Sequence, residues 1–318
     1  MGENRKYIRF ATKDLVAKCN PRNMELFEKF LNGKRSLRPK TKSAYISDFN
    51  QFAVFILLYY QNKYILDFDT DDLADVIDSY IIFCIDTLGN NNRRIGRRLS
   101  TLSSLFIYLR KKRKIKELPT ELVDRPKIYS GQYVTDHVFL TETQVELIRS
   151  GLKENPNTQL NLFFEYALYT MSRINAICSV KLSQIDLDKK IVHAVEEKEG
   201  YIVDFFISDR VRDLISKWIK ERAKKGISSE LLFCTRSGGN AKASIQNSYV
   251  KILGKYAGVD GLTAHSLRRT GSSLRKKAGM ALENVSKLLN HKSTAVTQQF
   301  YIQEDFEKLQ QEAEEFDI

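Results

Sequence analysis

Three short stretches near the end of the 318-residue chain hold its most chemically suggestive residues: His265-Ser-Leu-Arg268, Leu288-Leu-Asn-His291 and Phe300-Tyr301. Arg173 lies further back, in Leu168-Tyr-Thr-Met-Ser-Arg173-Ile, directly after an apolar run of helical character. Together these residue types suit one chemistry. A guanidinium fork clamps a phosphate through two parallel hydrogen bonds. Imidazoles manage protons near neutral pH. A phenol can attack phosphorus and hold it covalently.

Each residue also has a plainer reading. Arg173 follows an apolar run, where an unpaired charge is expensive, so a structural pairing with a carboxylate is the alternative to a clamp. His265 and Arg268 stand three apart at the start of a helix, and so share one face. Free N–H groups and the macrodipole favour an anion there; alone, the two could be surface residues. His291 closes an apolar helix, where a histidine also suits the helix dipole. Tyr301 lies ten residues after His291 and is the only tyrosine beyond it. One residue of slip turns a helical side chain by about 100°, so this spacing matters, and a loop between His291 and Val296 can absorb it. The plainer reading of Tyr301 is a buried aromatic beside Phe300.

These residues need a frame, and the chain is long enough for two domains. The net charge is +12 and the sequence pI about 9.3, which favours a polyanionic partner through counterion release. Residues 93–116 carry ten Lys and Arg and no acid, while 303–318 carries seven acids against Lys308. The basic run reads either as a solvated helix face or as a DNA-facing one. Positive charge at both ends of one apolar stripe suits phosphates across a groove. The four cysteines are far apart, so neither a disulfide framework nor a zinc site is expected. No metal or cofactor is called for. No apolar stretch suits a signal peptide or a membrane span, and a cytoplasmic location fits.

Residues 1–20 read as a loose arm. Met24, Phe27 and Leu31 suggest a short helix. Tyr45, Phe49, Phe52 and Ile56 form a second apolar face, Leu73 to Cys84 a third, and Ile95 to Leu109 a fourth. A bundle of four or five helices is expected over 21–125, followed by a linker at 126–136. Leu140-Thr-Glu-Thr-Gln144 has the form of a capping box. A helix at about 158–171 precedes a β-hairpin built from Ile191–Val195 and Tyr201–Ile207. Helices then follow from Asp209, with Gly226 as a C-terminal stop, and at about 243–256, 265–278 and 282–290. The expected class is mainly α with a small β-sheet.

The order Arg…His-x-x-Arg…His…Tyr, with its helical surroundings, resembles the tyrosine recombinase (integrase) family. Arg38-Pro-Lys-Thr-Lys-Ser-Ala-Tyr45 and the stretch from Arg97 to Leu109 are similar to its helical, SAM-like core-binding domain. The resemblance spans roughly residues 20–302, judged on motif order and context. It implies an α+β catalytic domain over 137–302, with residues 303–318 as an acidic helix that docks on a neighbouring protomer. It implies a site-specific recombinase in which Tyr301 is the nucleophile and the protein–DNA link is a 3′-phosphotyrosyl bond. Arg173 and Arg268 then clamp the scissile phosphate, and His265 and His291 place protons and hydrogen bonds. Lys198, in the hairpin turn, is the general acid; Lys189 and Lys190 are its rivals. Many relatives carry an acid where this chain has Ala176. Lys40, Lys42, Arg94, Arg97, Arg98, Arg110, Lys111 and Arg269 are expected on DNA. The implied partners are double-stranded DNA with inverted-repeat half-sites and further copies of this chain, a dimer per site and a tetramer in the synapse. The family closes on the duplex as a C-shaped clamp. The alternatives are a type IB topoisomerase-like or resolvase activity, and a non-catalytic DNA-binding accessory protein of the same fold.

Overall fold

The computed structural model describes residues 10–34, 37–127, 137–197, 200–291, 293–302, 310, 314 and 315. The chain divides into two compact units, Met1–Val134 and Thr135–Ile318, so the boundary falls inside the stretch read as a linker.

The first unit is helical among its described residues: α1 (Lys13–Lys18), α2 (Pro21–Gly33), α3 (Pro39–Tyr59), α4 (Thr70–Asp86) and α5 (Asn92–Lys111). Local chemistry sets their ends. Pro21 and Pro39 stand in the first turns of α2 and α3, where a missing N–H costs nothing. Asp69 and Asn91 cap α4 and α5 through their side-chain oxygens. The core is strongly aromatic, with Phe27 stacked on Phe49 at 3.9 Å and Phe52 edge-on to Tyr80 at 5.2 Å.

The expected loose arm is corrected by this unit. Thr12 caps α1, Cys19 is buried, and Phe10 packs on Phe83 at 4.8 Å. Asn20 donates two hydrogen bonds to Asn62, from its backbone N–H to Oδ1 and from its side-chain amide to the carbonyl. From residue 10 onward the stretch therefore belongs to the helical unit; six helical residues are too few to show a period in sequence.

The second unit opens with α6 (Glu142–Glu154), capped by the reciprocal Thr141–Gln144 box. Next comes α7 (Thr158–Thr170), which is buried on nearly every side, as expected for a helix that is apolar all round. The short α8 (Ile174–Ser179) leads to an antiparallel sheet of β1 (Ile185–Asp186), β2 (Ile191–Glu196) and β3 (Ile202–Phe206), in that order. The expected hairpin is β2–β3; the two-residue β1 is an addition. A register shift between Val192 and Val195, with Ala194 at φ 53°, marks a bulge in β2.

After the sheet come α9 (Asp209–Lys224), α10 (Lys242–Ser244), a π-helical turn (Ile245–Tyr249) and α11 (Val250–Ala257). The unit continues with α12 (Ala264–Lys277), α13 (Leu282–Leu288) and α14 (Thr294–Tyr301). The stripe Val211, Ile215, Trp218 on α9 is buried, and Trp218 donates its indole N–H to the Leu232 carbonyl at 2.8 Å. Gly271 lets α12 lie against the end of α7, because a Cβ there would collide with the Leu168 carbonyl oxygen. That close approach sets the next residue cluster. No described helix is long and apolar enough to cross a membrane.

Candidate active site

The end of α7 turns sharply. Met171 takes the left-handed conformation at φ 53° and is fully buried, a costly state for a residue with a side chain. Two residues later Arg173 forms the N-cap of α8. The turn exposes the Met171 carbonyl to α12, where Arg268 donates to it from Nη1. Arg268 also donates from Nη2 to the Leu289 carbonyl at 2.7 Å. One buried guanidinium thus joins the ends of α7 and α13 through α12.

His265 sits in the first turn of α12, capped by the Thr263–Ser266 pair. His291 lies three residues past α13 and is held by its backbone N–H on the Ser286 carbonyl at 3.1 Å. Its Nε2 is 3.2 Å from Arg268 Nη2 and its Nδ1 is 2.9 Å from Thr297 Oγ1. A guanidinium can only donate. The neutral ring therefore accepts at Nε2 and donates from Nδ1 to the Thr297 hydroxyl.

Tyr301 ends α14. Its ring lies 4.6 Å from the His291 ring, 5.3 Å from the His265 ring and 5.3 Å from the Arg268 guanidinium carbon. It is buried in a small apolar cluster with Met171, Val285 and Leu289. α14 begins at Thr294, three residues after His291, with Ser293 as its N-cap. Thr297 and Tyr301 are four apart on α14 and share a face. The hydrogen bond from His291 to Thr297 therefore also sets which way Tyr301 points.

The electrostatics follow from crowding. Loss of water, then the charges of Arg269, Arg268 and Arg173, pull the His265 pKa down to about 4. Loss of water, then Arg268 and Arg173, do the same to His291. Burial and the nearby Arg173 bring Arg268 down to about 10, which leaves it charged at neutral pH. Both imidazoles are neutral at pH 7. In the unfolded chain they would take up protons near 6.5. Between about 6.5 and about 4 the unfolded state binds more protons, so stability is lost as pH falls through that window. Thermal melts from pH 7 to pH 5 should show a shallower decline for His291→Gln than for the unaltered chain. Identical slopes would refute this account of His291.

Arg173 pairs with the carboxylate of Glu197 and keeps part of its side chain open to solvent. Glu197 directly follows β2 and was missed in the sequence, as was Thr297. The adjacent acids Glu196 and Glu197 and the neutral Ala176 were the only available signals. Lys198 lies outside the described residues. Lys189 and Lys190 sit in the turn between β1 and β2, where they pair with Asp186 and Asp209. Arg269 is half-buried beside the site.

In the first unit, Lys40, Lys42, Arg94, Arg97, Arg110 and Lys111 are exposed. Tyr45 meets Ser104, and Asp48 meets Thr101 and Arg97, so α3 and α5 run antiparallel. That places Lys40 and Lys42 beside the end of α5 that carries Arg110 and Lys111. Arg97 also anchors the buried Asp48 at 2.6 Å. Arg98 is a correction. It lies on the inward stripe of α5, buried, with Nη1 2.9 Å from Cys84 Sγ, and cannot reach a phosphate.

The phage integrase family model matches residues 138–308, more than half of the chain. The chain belongs to this family, the tyrosine recombinases. A tyrosine recombinase XerC from Caldanaerobacter subterraneus subsp. tengcongensis is 26% identical over 302 residues, covering 87% of this chain and 82% of that one. Among solved structures of the family, XerH bound to a palindromic difH substrate has a TM-score of 0.67. The match has 16% identity and covers 99% of this chain and 90% of that one. A lambda integrase dimer bound to a COC' core site has a TM-score of 0.65, with 19% identity and coverage of 91% and 81%. At these identities the structural likeness establishes the tyrosine recombinase fold, mainly α with a small sheet.

Proposed function

We propose that this integrase-family protein is a site-specific DNA recombinase with Tyr301 as its nucleophile. The observation that carries the reading is convergence: Tyr301, His265, His291 and Arg268 come from three helical regions and meet within 4.6–5.3 Å of the tyrosine ring. The phenol oxygen attacks a backbone phosphorus and expels the 5′ oxygen. A 3′-phosphotyrosyl bond forms and a phosphodiester bond breaks. Arg173 and Arg268 neutralise the charge that builds on phosphorus, and a dry site strengthens that interaction. His265 holds a non-bridging oxygen and the phenol proton, His291 orients Arg268 and Thr297 through its two ring nitrogens, and Lys198 protonates the leaving group. A 5′-OH from a partner strand then attacks the link and regenerates the phenol. Bond energy stays in the covalent intermediate, so no nucleotide hydrolysis is required.

The DNA-facing cations are Lys40, Lys42, Arg94, Arg97, Arg110, Lys111 and Arg269. They supply affinity more than sequence choice, because phosphate contacts carry no base information. Inverted-repeat half-sites would bring two protomers to one site and four to a synapse, where cellular DNA lies, in the cytoplasm. A nicked suicide duplex tests the activity. Covalent protein–DNA adduct is expected; DNA that shifts in a gel but never becomes covalent would reduce the protein to a binding module. Exchange between two duplexes, rather than rejoining of one, separates recombinase from topoisomerase.

In the acidic stretch 303–318, Phe306, Leu309, Ala313 and Phe316 are spaced in sequence as one helical face; these four lie outside the described residues. An apolar face with an acidic rim suits a basic protein surface. Deleting 304–318 should leave a single protomer's grip on a half-site nearly intact and weaken cooperative filling of the full site. Gel-shift titration measures both, and unchanged cooperativity would place the tail's role elsewhere.

A further inference from the structure

We propose that Glu197 is the positioning residue of the arginine pair, supplied by the hairpin strand; this rests on the recombinase reading above. Glu197 is only 6% exposed, and its carboxylate pairs with Arg173 through Oε2. Oε1 faces Arg268 Nη1 at 3.9 Å, beyond hydrogen-bond reach. Oε1 and Arg268 Nε are both buried without a hydrogen-bond partner. Buried polar atoms are seldom left unmet, and each exception needs a cause. Here both belong to residues that the recombinase reading places around a phosphate.

The charges give the reason. Two guanidiniums in one partly dry site repel each other, and Arg173 is a named cause of the lowered Arg268 pKa. A carboxylate between them reduces the pair to a net single positive charge. One phosphodiester then neutralises it, and the further charge of the transition state falls to the remaining donors. Without the carboxylate the site would grip the resting phosphate harder and gain less on the way to the transition state. Only interactions that strengthen in the transition state accelerate the chemical step. Glu197 also closes the hairpin: its N–H donates to the Tyr201 carbonyl at 2.8 Å, and its carbonyl accepts from Gly200 N–H at 3.3 Å. The same residue thereby ties Gly200 and Tyr201, which lead into β3, to the arginines. Ala176, one helical turn beyond Arg173, is buried and offers no charge, so the carboxylate comes from another element.

The test uses the full chain and a nicked suicide duplex selected by the unaltered protein from a randomised pool. Glu197→Gln keeps the shape and removes the charge. Single-turnover adduct formation should slow by about 10- to 100-fold, the scale seen when an orienting partner of an active-site ligand is lost. Half-site binding should be unchanged or tighter, since a negative charge beside the phosphate is gone. Glu197→Asp, which retains the charge, should be intermediate. In an Arg173→Ala background, which removes both the ion pair and the repulsion with Arg268, Glu197→Gln should cost much less than it does alone, because the two act as a unit. An unchanged adduct rate, a parallel loss of binding and cleavage, or full additivity with Arg173→Ala would each overturn the proposal. An unaltered protein that never forms adduct overturns the recombinase reading itself, and that result is visible before any Glu197 variant is compared.

Discussion

Tyr301→Phe is expected to bind DNA as the unaltered chain does and to form no covalent adduct. The substitution removes one oxygen from a ring that is otherwise held by Met171, Val285 and Leu289. Packing is preserved, so the stability change should be under about 1 kcal/mol, the scale of one net hydrogen bond. The chemistry has no substitute. Any other nucleophile would have to reach the same phosphorus, and His265, His291 and Arg268 already surround the Tyr301 ring. Denaturing gels on a nicked suicide duplex give the answer. Adduct in the variant would remove Tyr301 from its role, and peptide mapping of the linked residue would then find the true one.

Tyr301 stands out as a candidate in the sequence while Glu197 does not, because of contact range. The Thr141–Gln144 capping box, Pro39 in the first turn of α3 and the Val211–Trp218 stripe are local, so residue types three or four apart declare them. The Arg, His-x-x-Arg, His and Tyr set was legible because its order is itself a pattern. The contacts that assemble the set are not patterned. Arg268 reaches the Met171 carbonyl across 97 positions, and Arg173 meets Glu197 across 24. Nothing in the sequence says which of several acids will be buried beside an arginine. Arg98 failed for a related reason. It was read as one more cation in a basic run, but steps of three and four from Ile95 through Arg98 to Leu102 turn it inward. There Cys84 and the Tyr80 ring surround it. The arm before α2 failed because a helix of six residues shows no period, and its burial depends on Phe83, far along the chain.

Arg268→Lys is expected to be the more damaging of the two arginine replacements, and Arg173→Lys the less. Lysine keeps the charge and loses the planar fork. At position 268 the fork does three things at once: it donates to Met171 O and Leu289 O and touches His291 Nε2. A single ammonium cannot span the ends of α7 and α13 and still face a phosphate. Its removal leaves two buried carbonyls short of a donor, each costing roughly 1–3 kcal/mol. Arg268→Lys should therefore lower both the melting temperature and the cleavage rate. Arg173 is different, since its guanidinium is partly exposed and, among the described residues, is bonded to Glu197. Arg173→Lys can keep that ion pair, so stability should hold while cleavage falls about 100-fold or more, the scale of losing one donor to a developing charge. Melting curves and single-turnover cleavage, measured on both variants, separate the two effects. Near-normal cleavage by Arg173→Lys would leave it a structural partner of Glu197, and near-normal melting of Arg268→Lys would mean the two carbonyls find other donors.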